Sequence, residues 1–115
     1  MRITLIFNPD AGTDKQPGGE KILKLIEAAG HSVFCQPSTG AGWEEALDKP
    51  ADIVAIAGGD GTVGKVSKRM IGKDASLAVL PMGTANNIAR ALGLSNRPFD
   101  QLIAGWSSGR RMKFD

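Results

Sequence analysis

Residues 52–57 (DIVAIA) are a nearly all-apolar run of strand length, and they lead directly into Gly58-Gly59-Asp60-Gly61-Thr62. A strand with one wet face alternates apolar and polar residues. One without alternation is buried on both faces, which places it at the centre of a parallel sheet. Parallel neighbours need crossover connections, so the rest of the chain must alternate strands with helices.

It does. Residues 2–8 (RITLIFN) read as a first strand, broken by Asn8-Pro9 and a Gly-, Pro- and Asp-rich loop to Gly19. A helix is predicted over 19–29, with Ile22, Leu23, Ile26 and Ala29 inward and Gly30 where a C-terminal cap belongs. A second strand over 31–36, a turn over 37–42 and a short helix over 43–47 precede the buried strand. After the glycine loop, Val63, Val66, Met70 and Ile71 mark one face of a helix, and 77–80 (LAVL) is a fourth strand ended by Pro81. Helices follow over 84–92 and around Phe99, Leu102, Ile103 and Trp106, and 110–114 is a weak fifth strand. The expected fold class is α/β: an open, mostly parallel sheet with helices on both faces, of the Rossmann-like doubly wound type.

A length of 115 residues suits one domain, and 42% hydrophobic with 23% charged residues argues against disorder. Fifteen glycines, clustered and without collagen period, mark particular loops. A net charge of +2 is too small to predict nucleic-acid binding. The group Lys65, Lys68, Arg69 and Lys73 reads equally as a solvated helix face or a binding patch; Arg110, Arg111 and Lys113 form a second group. The single cysteine, Cys35, excludes an intramolecular disulfide and suits a reducing compartment, and it reads as a small core residue. His31 reads as a surface or structural residue, without a second histidine to share a metal. No run of about 18 apolar residues or signal peptide is present, so a cytoplasmic, soluble protein is expected.

In open α/β sheets, ligands bind beyond the carboxyl ends of the strands. Three loops lie there: Asn8, Pro9, Asp10, Ala11 and Gly12 after the first strand; Gly58 to Thr62 after the third; and Pro81 to Asn87 after the fourth. In the second, glycines flanking Asp60 permit positive φ and close backbone approach, and a helix starting near Thr62 would offer its unpaired amides to a phosphate. Asp60 would then need a divalent cation between itself and the phosphate, or would orient hydroxyls and amides. The competing reading is a tight strand-to-helix connection in which Asp60 or Thr62 is an N-cap. Thr84 and Asn86 have the same two readings, and Asn87 adds another amide there. The loop is neither a Walker A motif nor a G-x-G-x-x-G fingerprint.

The GGDGT loop after an apolar strand, followed about twenty residues on by PMGTANNIAR and preceded by the opening FNPDAG, resembles the diacylglycerol kinase catalytic domain family, which includes bacterial lipid kinases and sphingosine kinases. The resemblance runs in order along essentially the whole chain. It implies the N-terminal ATP-binding domain of a lipid kinase that moves the γ-phosphoryl of ATP, with Mg2+, to a lipid hydroxyl of diacylglycerol type at the membrane surface. It places Asn8, Pro9, Asp10, Ala11, Gly12, Thr39, Gly58, Gly59, Asp60, Gly61, Thr62, Thr84 and Asn86 around ATP, with Asp60 as the catalytic carboxylate. The chain departs from the family pattern at Gly64 and Lys65, where Asn-Glu is usual, which removes any metal-linked role for that Glu. Family enzymes also carry a second, largely β domain that closes the cleft. The expectation is therefore a fragment of a larger kinase, or else a stand-alone nucleotide-binding or interaction module that covers the exposed surface as a homo-oligomer.

Overall fold

The computed structural model describes residues 1–8, 19–39, 41–81, 99–106 and 112–113. Five strands form one sheet, β1 (Arg2–Phe7), β2 (Ser32–Pro37), β3 (Ile53–Gly58), β4 (Ser76–Pro81) and β5 (Met112–Lys113), in the order β2-β1-β3-β4-β5. The first four are parallel, and β5 runs antiparallel to β4, pairing Lys113 with Ser76 and Met112 with Leu77. The α/β class expected from the sequence holds, and of the predicted fifth strand the described residues Met112 and Lys113 are strand.

Side chains alternate between two cores because successive strand residues point to opposite faces. Ile3, Leu5, Ile53, Ala55, Ala57, Ala78 and Leu80 face one side. There they meet Ile22 and Ile26 of α1 (Gly19–Ala28) and Leu102, Ile103 and Trp106 of α3 (Phe99–Trp106). Ile6, Val54, Ile56, Leu77 and Val79 face the other side. There they meet Trp43, Ala46 and Leu47 of a 3₁₀ turn (Trp43–Asp48), and Val63, Val66 and Met70 of α2 (Asp60–Met70). Every residue of β3 is buried, as its lack of polar alternation demands.

The helix ends follow local chemistry. α1 closes in a Schellman arrangement, with Gly30 at φ 94°, its N–H bonded to Glu27 O at 3.0 Å and the N–H of His31 to Ile26 O at 3.4 Å. The predicted inward set needs correction here: Ala29 is exposed beyond the helix, and Leu25 packs against the core. α2 ends in a type II turn in which Gly72 takes φ 84° and the N–H of Lys73 bonds Met70 O at 3.0 Å. Ile71, predicted to face inward, is instead 69% exposed in that turn. The helix predicted over 84–92 lies outside the described residues.

Connections run from β1 outward to β2 and from β3 outward to β4 in the opposite direction. α1 and α2 lie on opposite faces of the sheet. The strand order therefore reverses between β1 and β3, which opens a crevice at their carboxyl ends.

Candidate functional site

At that switch point the ladder continues past the strands. The N–H of Asn8 donates to Ala57 O at 2.9 Å, and the N–H of Ser38 donates to Phe7 O at 2.7 Å. Asn8, the Ser38-Thr39 turn and the Gly58 to Thr62 segment thus stand side by side on one edge, with strands spaced about 4.8 Å apart. β4 joins them, because β3 and β4 are neighbours and Gly58 pairs with Pro81. The loops after the third and fourth strands therefore start from adjacent positions. Pro9, Asp10, Ala11, Gly12, Thr84 and Asn86, and Asn87 with them, lie outside the described residues.

The glycine segment is tighter than its sequence suggested. α2 begins at Asp60, not near Thr62, so Gly59 alone separates it from β3. Gly59 is the N-cap, in extended conformation at φ −92° and ψ −170°, with no side-chain cap hydrogen bond. The capping role weighed for Asp60 or Thr62 is therefore not the one they hold: they occupy the first and third helical positions. The first α-helical bond runs from the N–H of Val63 to Gly59 O at 3.1 Å. Helix geometry leaves the preceding amides without intrahelical partners, and the positive end of the helix dipole coincides with them.

Nor do these glycines serve positive φ. Among the described residues only Gly30, Gly42 and Gly72 adopt it. Gly58 is required by crowding: a Cβ there would lie 2.9 Å from both Cβ and Oγ1 of Thr62, which is itself 7% exposed. Gly61 is different, since among the described residues a Cβ added to it meets no atom within 4 Å. Gly61 is exposed, so no side chain of its own stands over the first turn of α2.

Arg69 of α2 and Lys73 in the turn after it form surface ion pairs with the 3₁₀ turn, while Lys68 is exposed. Arg69 Nη2 lies 3.8 Å from Glu44 Oε1, and Lys73 Nζ lies 2.9 Å from Asp48 Oδ1 and 3.3 Å from Leu47 O. These fasten α2 to the 3₁₀ turn, so the group is neither a plain solvated face nor a free patch. Lys65 reaches further, donating to the carbonyl of Ser38 with its Nζ 4.7 Å from the Trp43 ring centroid. Ser38 and Trp43 were not singled out from sequence. Their one signal was a lone Trp after a turn, which gives no hint of the lysine it receives.

The titratable groups with displaced pKa values belong to other regions. His31, 9% exposed before β2, has its pKa lowered by burial and then by the Met1 ammonium, 3.3 Å from Nδ1. Its ring lies 6.4 Å from that of Trp106, and its buried Nε2 has no hydrogen-bond partner among the described residues. It is the structural residue that the sequence suggested. Burial pushes the thiol of Cys35, packed against the first core, upward.

A family model for the diacylglycerol kinase catalytic domain matches residues 2–115. The chain is 34% identical over 101 residues to a diacylglycerol kinase of Bacillus subtilis, covering 81% of this chain and 33% of that protein. It is 32% identical over 119 residues to a diacylglycerol kinase of Staphylococcus aureus, covering 93% and 38% respectively. Its fold matches the crystal structure of a diacylglycerol kinase from Bacillus anthracis with a TM-score of 0.68 and 24% identity, over 93% of this chain and 42% of that one. The chain thus spans about a third to two fifths of the length of these relatives. With a match over all but its first residue, the chain belongs to the diacylglycerol kinase catalytic domain family.

Proposed function

We propose that this chain is the nucleotide-binding domain of an ATP-dependent lipid kinase, which transfers the γ-phosphoryl of ATP to a hydroxyl of a diacylglycerol-like lipid at the membrane surface. The observation that carries the reading is the start of α2: a helix N-terminus without a side-chain cap, beside the β1–β3 switch point, with Gly61 exposed in its first turn. Family membership supports it. Phosphate oxygens would accept hydrogen bonds from the first-turn amides, and the helix dipole would favour their charge. Asn8 and Thr39 flank the same edge and would bind the remainder of the nucleotide, with the segments holding Pro9, Asp10, Ala11, Gly12, Thr84 and Asn86.

In the transfer, the lipid oxygen bonds to the γ-phosphorus as the bond to the β,γ-bridging oxygen breaks. ADP leaves, and the hydroxyl proton passes to a base. Asp60 is the proposed carboxylate, either as that base or as the residue linking the protein to the cation. Magnesium, when bound, neutralises charge on the phosphates; it takes one or two carboxylates and otherwise phosphate and water oxygens, a donor set that Asp60 suits.

Isothermal titration with ATP and magnesium, followed by a γ-phosphate transfer assay on diacylglycerol micelles, tests the proposal. Saturable ATP binding by this chain, lost or much weakened in Gly61→Val, is expected. Transfer is expected from the protein that also contains the remainder of the family's length. An absence of ATP binding would refute the proposal and leave an interaction module that keeps the loops.

A further inference from the structure

We propose that Lys65 is a positioning residue for nucleotide binding: by tying the Ser38 carbonyl to α2, it sets the orientation of Thr39 at the carboxyl edge of the sheet. The inference rests on the nucleotide-binding reading above. Lys65 crosses from the second turn of α2 to the turn after β2, 27 residues away in sequence. Ser38, 2% exposed, is then held from two directions, its N–H by Phe7 O of β1 and its carbonyl by the Lys65 ammonium.

That carbonyl belongs to the planar peptide unit that also carries the Thr39 amide. In a trans peptide the N–H points opposite to the C=O, so anchoring one oxygen on Lys65 turns the Thr39 N–H away from it and fixes where the exposed Thr39 begins. The Trp43 ring, 9% exposed, covers the ammonium and makes the contact more than a fluctuating surface bond. Arg69 on the same helix and Lys73 in the turn that follows it take carboxylates of the 3₁₀ turn as partners. Lys65 alone of the three takes a backbone acceptor at the site edge, and among the described residues no carboxylate neutralises it.

The test measures ATP affinity by titration, and amide exchange over residues 36–42, in the wild type, Lys65→Met, Lys65→Arg, Thr39→Ala and the Lys65→Met/Thr39→Ala pair. Lys65→Gln, shorter and uncharged, is run beside Lys65→Met in case the latter fails to fold. Lys65→Met is expected to speed exchange at Ser38, whose N–H is held by Phe7 O, about tenfold or more and to weaken ATP binding about tenfold, while Lys65→Arg restores both. The double variant is expected to bind ATP no worse than the weaker single variant, because both act through one residue. Unchanged exchange in Lys65→Met, unchanged affinity, or losses that multiply in the double variant would each overturn the inference, the last by showing a charge effect independent of Thr39. A wild type that does not bind ATP overturns the proposed function and this inference with it. A wild type that binds, beside a Lys65→Met protein that binds equally well, overturns this inference alone.

Discussion

Gly58→Ala isolates the crowding where β3 turns into α2. The new Cβ would stand 2.9 Å from the Cβ and Oγ1 of Thr62, closer than real Cβ contacts allow, and a tight 3.2 Å from its Cγ2. Relief by rotation is not available, because the Thr62 Cβ is itself one of the clashing atoms and helical backbone fixes its place. Either α2 must shift from the sheet, disturbing Val63 and Val66 in the second core, or β3 must move within a fully buried environment. Overpacking of this kind costs about 1–3 kcal/mol. For a chain of this length that lowers the melting temperature by roughly 3–15 °C. Urea unfolding followed by the fluorescence of Trp43 and Trp106 measures it. Gly64→Ala is the control: among the described residues its Cβ meets nothing within 4 Å, and a helical glycine replaced by alanine gains about 1 kcal/mol. If Gly58→Ala proved as stable as wild type, or if Gly64→Ala were equally harmful, the crowding argument would be wrong.

Gly61→Val, whose Cβ meets no atom within 4 Å among the described residues, is expected to change stability by less than about 1 kcal/mol yet weaken ATP binding about tenfold or more, equivalent to 1.4 kcal/mol; calorimetry and titration on the same sample separate the two effects. Asp60→Asn keeps the size of the side chain and removes its charge, so ATP binding should survive better than transfer, which should fall about a hundredfold or more in the micelle assay. For His31, whose folded pKa is lowered by burial and then by Met1, the unfolded chain binds the proton more readily. Its contribution is therefore fully present above about pH 6.5 and is lost as pH falls through that value toward the folded pKa. Unfolding free energy measured between about pH 7.5 and 5.5 should decline in the wild type and flatten in His31→Gln.

Much of the fold was legible because it follows from local rules. The unbroken apolar run ending at Ala57 demanded burial on both faces, and Gly30 after a helical pattern demanded a left-handed cap; both occur. Element boundaries slipped where two rules competed. Ala29 fits the helical period, but the Schellman closure at Gly30 already places it outside. At the site, the edge that collects Asn8 and the glycine segment was legible from topology, whereas Thr39 came only from the family resemblance. What was not legible depended on three-dimensional proximity. That Gly58 is held by Thr62 rather than by φ requires knowing that the helix folds back after a single residue. That Lys65 serves the turn after β2, while Arg69 and Lys73 serve the 3₁₀ turn, depends on which element packs beside α2. A run of cations in sequence is silent on that choice.

The one-residue joint between β3 and α2 also removes a hinge. A helix linked by several residues can swing independently of its sheet; one linked by Gly59 alone, with Thr62 pressed on Gly58, moves only with the strand behind it. An anion arriving at the first turn of α2 therefore meets amides whose ordering was completed when the chain folded, and little of its binding energy is lost in arranging them. Any closing motion around such a ligand must originate in the other walls of the crevice, with this joint as the fixed jaw.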